Sequence, residues 1–144
     1  MAAQTYNVEI QGYWRDINKS RIPNHSGVYF VYDATHNKDR GTITINKLIY
    51  IGESEHVRDR IKDHEKYESW LNYIRWSHVL CFSTCMVEPD SRERVEAAYI
   101  FKLKPPANED YLNSFPFDET AVKSKGKVAL VHPNFSVHRT RKIK

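Results

Sequence analysis

The sequence predicts an α+β domain with a small, mainly antiparallel sheet. Three observations lead there. Two β-branched and aromatic runs, Gly27–Tyr32 and Leu48–Ile51, flank a polar stretch as the arms of a hairpin do. Two later segments carry helical periodicity, one following Ser54 and one following Pro89-Asp90-Ser91. The chain has 144 residues, the length of one domain with a single core.

Taken in order, residues 6–22 mix aromatics with charges at no clean period, and no element is assigned there. Gly27–Tyr32 reads as a strand, and Asp33–Gly41 as a polar loop. Thr42–Ile45 alternates, and Leu48–Ile51 continues as an apolar strand up to Gly52, which makes a hairpin with a long tip. Ser54 is placed to cap a helix running to about Glu65, with Val57 and Ile61 as its apolar pair. A second helical stretch covers Ser69 to Trp76, and His78 to Val87 reads as a third strand. A helix from Arg92 to Leu103 is stopped by Pro105-Pro106, and a short strand, Lys127–Val131, precedes a basic end.

Lys plus Arg number 22 and Asp plus Glu 18, a net charge of +4, with a pI near 9.0. The excess is local: from Asp118 to Lys144 the chain carries +5, leaving −1 for residues 1–117. The expected division is therefore a body over 1–117 and a basic C-terminal extension over 118–144. Such an extension, with Arg139 and Arg141 near its end, is suited to a phosphate backbone; a merely solubilising end is the even alternative. Lys38 and Arg40, beside His36 in the hairpin loop, have the same two readings. A mean hydropathy of −0.67 and the lack of an apolar run near ~18 residues exclude a membrane-spanning helix. The start, MAAQTYNVEI, lacks the basic-then-apolar pattern of a signal peptide, and two cysteines make no disulfide scaffold. The expectation is a cytoplasmic protein.

Polar residues on apolar faces carry the chemistry. On the helix after Ser54, Arg60 and His64 fall beside Val57 and Ile61, whereas Asp59, Lys62 and Asp63 point away and Arg58 takes the opposite flank. Each alone reads as a snorkelling boundary residue or a satisfied core histidine. On the later helix Glu96 falls within the arc of Val95, Tyr99 and Leu103, where a carboxylate needs a cation, a metal or hydrogen bonds. Arg92, four residues earlier, is the plain partner. Together with Tyr29 and Tyr50 these groups form a phosphodiesterase set: a phenol to activate water, a guanidinium for phosphate, a carboxylate for Mg²⁺. His78, Cys81 and Cys85 have a faintly zinc-like spacing without a fourth ligand, and strand packing is the better reading. The remaining histidines, His25, His36, His56, His132 and His138, read as surface or boundary residues.

Gly27-Val28-Tyr29, Tyr50-Ile51-Gly52, Arg60, His64, Glu96 and Asn108 together resemble the GIY-YIG nuclease family. Arg60 and His64 follow Tyr50 by ten and fourteen residues, and Asn108 follows Glu96 by twelve, past Lys104-Pro105-Pro106. The likeness covers about residues 26–110. It departs in Val28 for Ile and in a longer stretch from Phe30 to Ile49. The resemblance implies a three-stranded antiparallel sheet flanked by helices and metal-dependent endonucleolytic hydrolysis of DNA. Tyr29 is then the general base or water orienter, with Tyr50 beside it and His64 as proton relay. Arg60 offsets charge on phosphorus, Glu96 holds Mg²⁺ (or Mn²⁺), and Asn108 braces the site. The rival expectation is a non-cleaving nucleic-acid-binding module on the same fold. No separate recognition domain is evident, so specificity comes from the loops and the basic end, from a partner protein, or is low; a homodimer would serve double-strand cleavage.

Overall fold

The computed structural model describes residues 2–141. Its sheet corrects the expectation of a small three-stranded antiparallel sheet flanked by helices. Among the described residues six strands form one mixed sheet: β1 Gln4–Arg15, β2 Gly27–Asn37, β3 Thr42–Ser54, β4 Val79–Met86, β5 Thr120–Gly126 and β6 Asn134–Val137. Their order is β3-β2-β4-β1-β5-β6. The β1–β5 pair is parallel and the other neighbours are antiparallel. Helices are few: α1 Val57–Lys62, α2 Tyr67–Leu71 and α3 Arg92–Leu103, with 3₁₀ turns at Asp16–Arg21 and Pro89–Ser91.

The extra strands come from the two ends. In β1, buried Val8 and Ile10 alternate with exposed Asn7, Glu9 and Gln11. In β5, Val122 and Ser124 turn inward while Lys123 and Lys125 face solvent. The inward positions are so few and so small that charge dominates the local pattern. Thus residues 118–141 contribute two strands to the sheet, whereas Lys142 and Lys144 of the basic end lie outside the described residues. No strand forms at Lys127–Val131. Gly126, at φ +93°, turns the chain where a Cβ would strike the Ile10 carbonyl, and Val131 N–H then closes back on Val128.

The loop expected over 33–41 shrinks to residues 38–41, because Asp33 and Ala34 are buried and β2 runs on to Asn37. Ser54 ends β3 instead of capping a long helix: its Oγ accepts from His56 N–H at 3.0 Å, and α1 begins only at Val57. The second helix is Tyr67–Leu71, earlier and shorter than Ser69–Trp76. β4 and α3 agree with the sequence reading to within a residue. Lys104 takes a left-handed φ of +50° and Pro105 follows, which ends α3.

Cross-strand neighbours divide the core between the faces of the sheet. Val28, Phe30, Tyr32, Cys81, Cys85 and Ile10 pack with Val95 and Tyr99 of α3. Tyr29, Val31, Ile49 and Phe82 pack with Val57, Ile61 and Trp70 from α1 and α2. Cys81 and Cys85 are free and buried, with burial pushing both thiols up to about 12. Arg94 joins the chain ends: its guanidinium donates to the carbonyls of Ala2, Asp118 and Glu119 and to Thr120 Oγ1. Among the described residues no helix is long and apolar enough to cross a membrane.

Candidate active site

Pairing of β2 with β3 sets Tyr29 opposite Gly52 and Val31 opposite Tyr50. The Tyr29 ring lies over Gly52, so closely that a Cβ there would collide with Cζ and Oη. The glycine of Tyr50-Ile51-Gly52 is therefore a packing requirement of the first tyrosine. Gly27 meets a similar limit against the Cys85 carbonyl. The Tyr29 and Tyr50 ring centroids are 6.3 Å apart.

His64 follows α1 and closes the group from the other side. Its side chain is buried, and Nε2 lies 2.7 Å from Tyr29 Oη. Nδ1 accepts the Lys66 backbone N–H at 3.1 Å. A nitrogen that accepts a backbone N–H carries no proton, so in the neutral ring Nε2–H donates to Tyr29 Oη. Burial, then the nearby Arg60 charge, push the imidazole down to about 4, which keeps it neutral. Burial holds Tyr29 well above the usual phenol value, against a lowering by Arg60; Tyr50 is pushed up to about 12 by burial and Glu96.

Trp70 of α2 roofs this group and was not singled out from the sequence. Its ring centroid is 4.4 Å from His64 and 5.4 Å from Tyr50. It stands on a helix too short to show a period. Glu65 is the second omission. It grips Arg60 through both guanidinium ends, Nη1 to Oε2 at 2.5 Å and Nη2 to Oε1 at 2.6 Å. This pair holds the half-buried guanidinium firmly charged and pulls Glu65 down to about 2. The residues lie five apart across a break in the helix, so the usual i,i+4 rule does not find them.

Glu96 reaches the cluster from α3. Burial pushes its carboxyl up to about 8, followed by Glu53, Glu93 and Asp110 around it. Arg92 bonds Glu53 and Ser26, and no cation pairs with Glu96 among the described residues. Asn108 is buried beside β3: Oδ1 accepts Ile51 N–H at 2.9 Å and Nδ2 donates to Ile51 O at 2.8 Å. Together with Ala107 N–H on Ile49 O at 3.0 Å, this segment covers the free edge of β3 between Tyr50 and Gly52.

Tyr29, Tyr50, Arg60, His64, Glu96 and Asn108 thus converge on one end of β2 and β3. The four other basic candidates do not join them. Lys38 and Arg40 are exposed at the hairpin tip, nine or more residues along β2, roughly 30 Å at about 3.3 Å per residue. Arg139 donates to Pro116 O at 2.6 Å and to Asp118 Oδ1 at 3.1 Å, beyond β6, and Arg141 is exposed. Among the described residues no three His, Cys, Asp or Glu side chains are grouped to hold a metal. Glu96 alone fits a divalent cation, as a partly buried carboxyl in acidic surroundings with no cationic partner. Comparison with protein-family models, with characterised proteins and with solved structures gives no match.

Proposed function

We propose that this chain is a DNA endonuclease with a GIY-YIG-type site carried on a larger sheet, acting in the cytoplasm with Mg²⁺ or Mn²⁺ at Glu96. The observation that carries the reading is the Tyr29–His64 bond and its direction. Nε2–H points at Tyr29 Oη, so the phenol keeps its own proton for the site, and a phenolate there is hydrogen-bonded in place. A structural tyrosine needs none of this convergence with Arg60 and Glu96. Free, buried cysteines suit a reducing compartment.

Each residue then has one task. Arg60 leaves Glu65 for a non-bridging phosphate oxygen, and its charge near Tyr29 lowers the cost of ionising the phenol. Tyr29 first gives its own proton to solvent; the phenolate then takes a proton from the attacking water, whose oxygen bonds phosphorus while the bond to the leaving oxygen breaks and that oxygen picks up a proton from solvent. His64 holds that phenolate as a donor, which makes it a positioning group instead of a relay. Tyr50 and Trp70 exclude water from the imidazole, and Asn108 fixes the β3 backbone beneath them. Glu96 would hold a divalent cation, which when bound would supply neutralising charge at the leaving oxygen.

Incubation of supercoiled plasmid, branched DNA and RNA with Mg²⁺, Mn²⁺ or EDTA tests the reading. Metal-dependent nicking that is lost in Glu96→Gln, with DNA binding retained, is the expected result. Binding without cleavage by the wild type on every substrate favours the non-cleaving module instead.

A further inference from the structure

A groove of about 430 Å³ lies away from the tyrosine cluster, between the 3₁₀ turn after β1, the segment following α2 and the first residues of β4. Its walls are aliphatic, from Ile17, Leu71 and Ile74. Two of the five large apolar side chains most exposed among the described residues line it. They are Ile17 (79%) and Leu71.

Its polar groups are of two kinds. Its one acid is engaged: Asp16 accepts from Tyr67 at 2.6 Å and pairs with Lys19, and the lining residue His78 donates through Nδ1 to buried Asp33 behind it at 2.8 and 3.0 Å. That bond fixes the His78 ring against the groove wall. Arg15, by contrast, forms no ion pair among the described residues. The groove therefore presents apolar walls and an unspent cation.

We propose that this groove docks an acidic, apolar peptide segment of a partner protein, an apolar side chain filling it and a carboxylate meeting Arg15. The volume suits one or two side chains. Exposed aliphatic side chains, Ile17 and Leu71, beside an arginine suit the apolar centre of an interface. A nucleic-acid strand fits less well, because no Phe, Tyr or Trp lines the groove to stack a base.

Panning a random phage-displayed dodecapeptide library on the full chain tests this. Enriched peptides are expected to pair apolar residues with Asp or Glu. A synthetic copy of one, followed by fluorescence polarisation, should bind at least tenfold more weakly to Arg15→Glu and to Ile17→Asp. Ile17 is so exposed that its variant leaves the core intact, and an unchanged melting temperature verifies this. No enrichment, basic peptides, or affinities indifferent to both variants overturn the proposal. So does an oligonucleotide that binds in an Arg15- and Ile17-dependent manner. None of these readouts depends on cleavage.

Discussion

The ring of Tyr29 occupies the space that a side chain on Gly52 would need. This joins the two tripeptides of the motif across the β2–β3 ladder, and it makes the glycine as specific as the tyrosine. In Gly52→Ala, a Cβ too close to Cζ and Oη must push the ring off His64. Cleavage should fall by at least tenfold, with a stability loss of about 1–3 kcal/mol from overpacking. Plasmid nicking and chemical denaturation of one preparation read both; an alanine variant with full activity and stability contradicts the packing.

Tyr29→Phe keeps the ring and removes the acceptor of His64 Nε2–H. Cleavage should fall by about 10²–10⁴-fold, the range of a lost general base. The unpaired donor in a buried site should cost about 1–3 kcal/mol in denaturant unfolding. Undiminished single-turnover cleavage excludes Tyr29 from proton transfer.

Arg60→Ala should abolish cleavage, whereas Arg58→Ala, on the other flank of α1 and without an ion pair among the described residues, should keep most of it. Glu65→Gln frees the guanidinium from its bidentate hold. It should therefore tighten DNA binding, measured by polarisation in EDTA. A weaker complex would mean that Glu65 orients Arg60 for substrate.

His64 predicts a pH dependence of stability. Its ordinary value near 6.5 falls to about 4 in the fold, so the unfolded chain binds a proton first as pH drops. Stability is then undiminished above pH 6.5 and is lost as pH falls from 6.5 towards about 4. The total reaches about 3 kcal/mol at ~1.4 kcal/mol per pH unit. Melting curves between pH 7.5 and 4.5 should drop less steeply for His64→Gln than for wild type; parallel slopes refute a buried neutral imidazole.

Removing everything after Phe117 deletes β5 and β6 and should unfold the sheet, so the basic end is tested by point changes. Lys123→Gln with Lys125→Gln keeps the strand, because both side chains face solvent. If these lysines meet phosphate, the slope of log K against log[salt] flattens by about 0.9 for each phosphate that is no longer neutralised. An unchanged slope leaves them as a solvated face.

Local pattern by itself determined the β2–β3 hairpin, β4, α3 and the spacing of Tyr29, Tyr50, Arg60, His64, Glu96 and Asn108. Strand length, helical period and proline stops are properties of short windows, and they survive without tertiary context. The tertiary structure alone decided how many strands there are. β1 and β5 pair in parallel from Gln4 with Thr120 onward, across most of the chain, and their alternation is hidden by lysines outside and by Ser124 and Thr120 inside. It also decided the details of the site: the Trp70 roof, the Glu65 grip on Arg60, the donor direction of His64 and the two bonds from Asn108 to Ile51. Each of these is set by backbone groups or by side chains brought together from separate elements, and hydrogen-bond geometry between such groups leaves no period in the sequence.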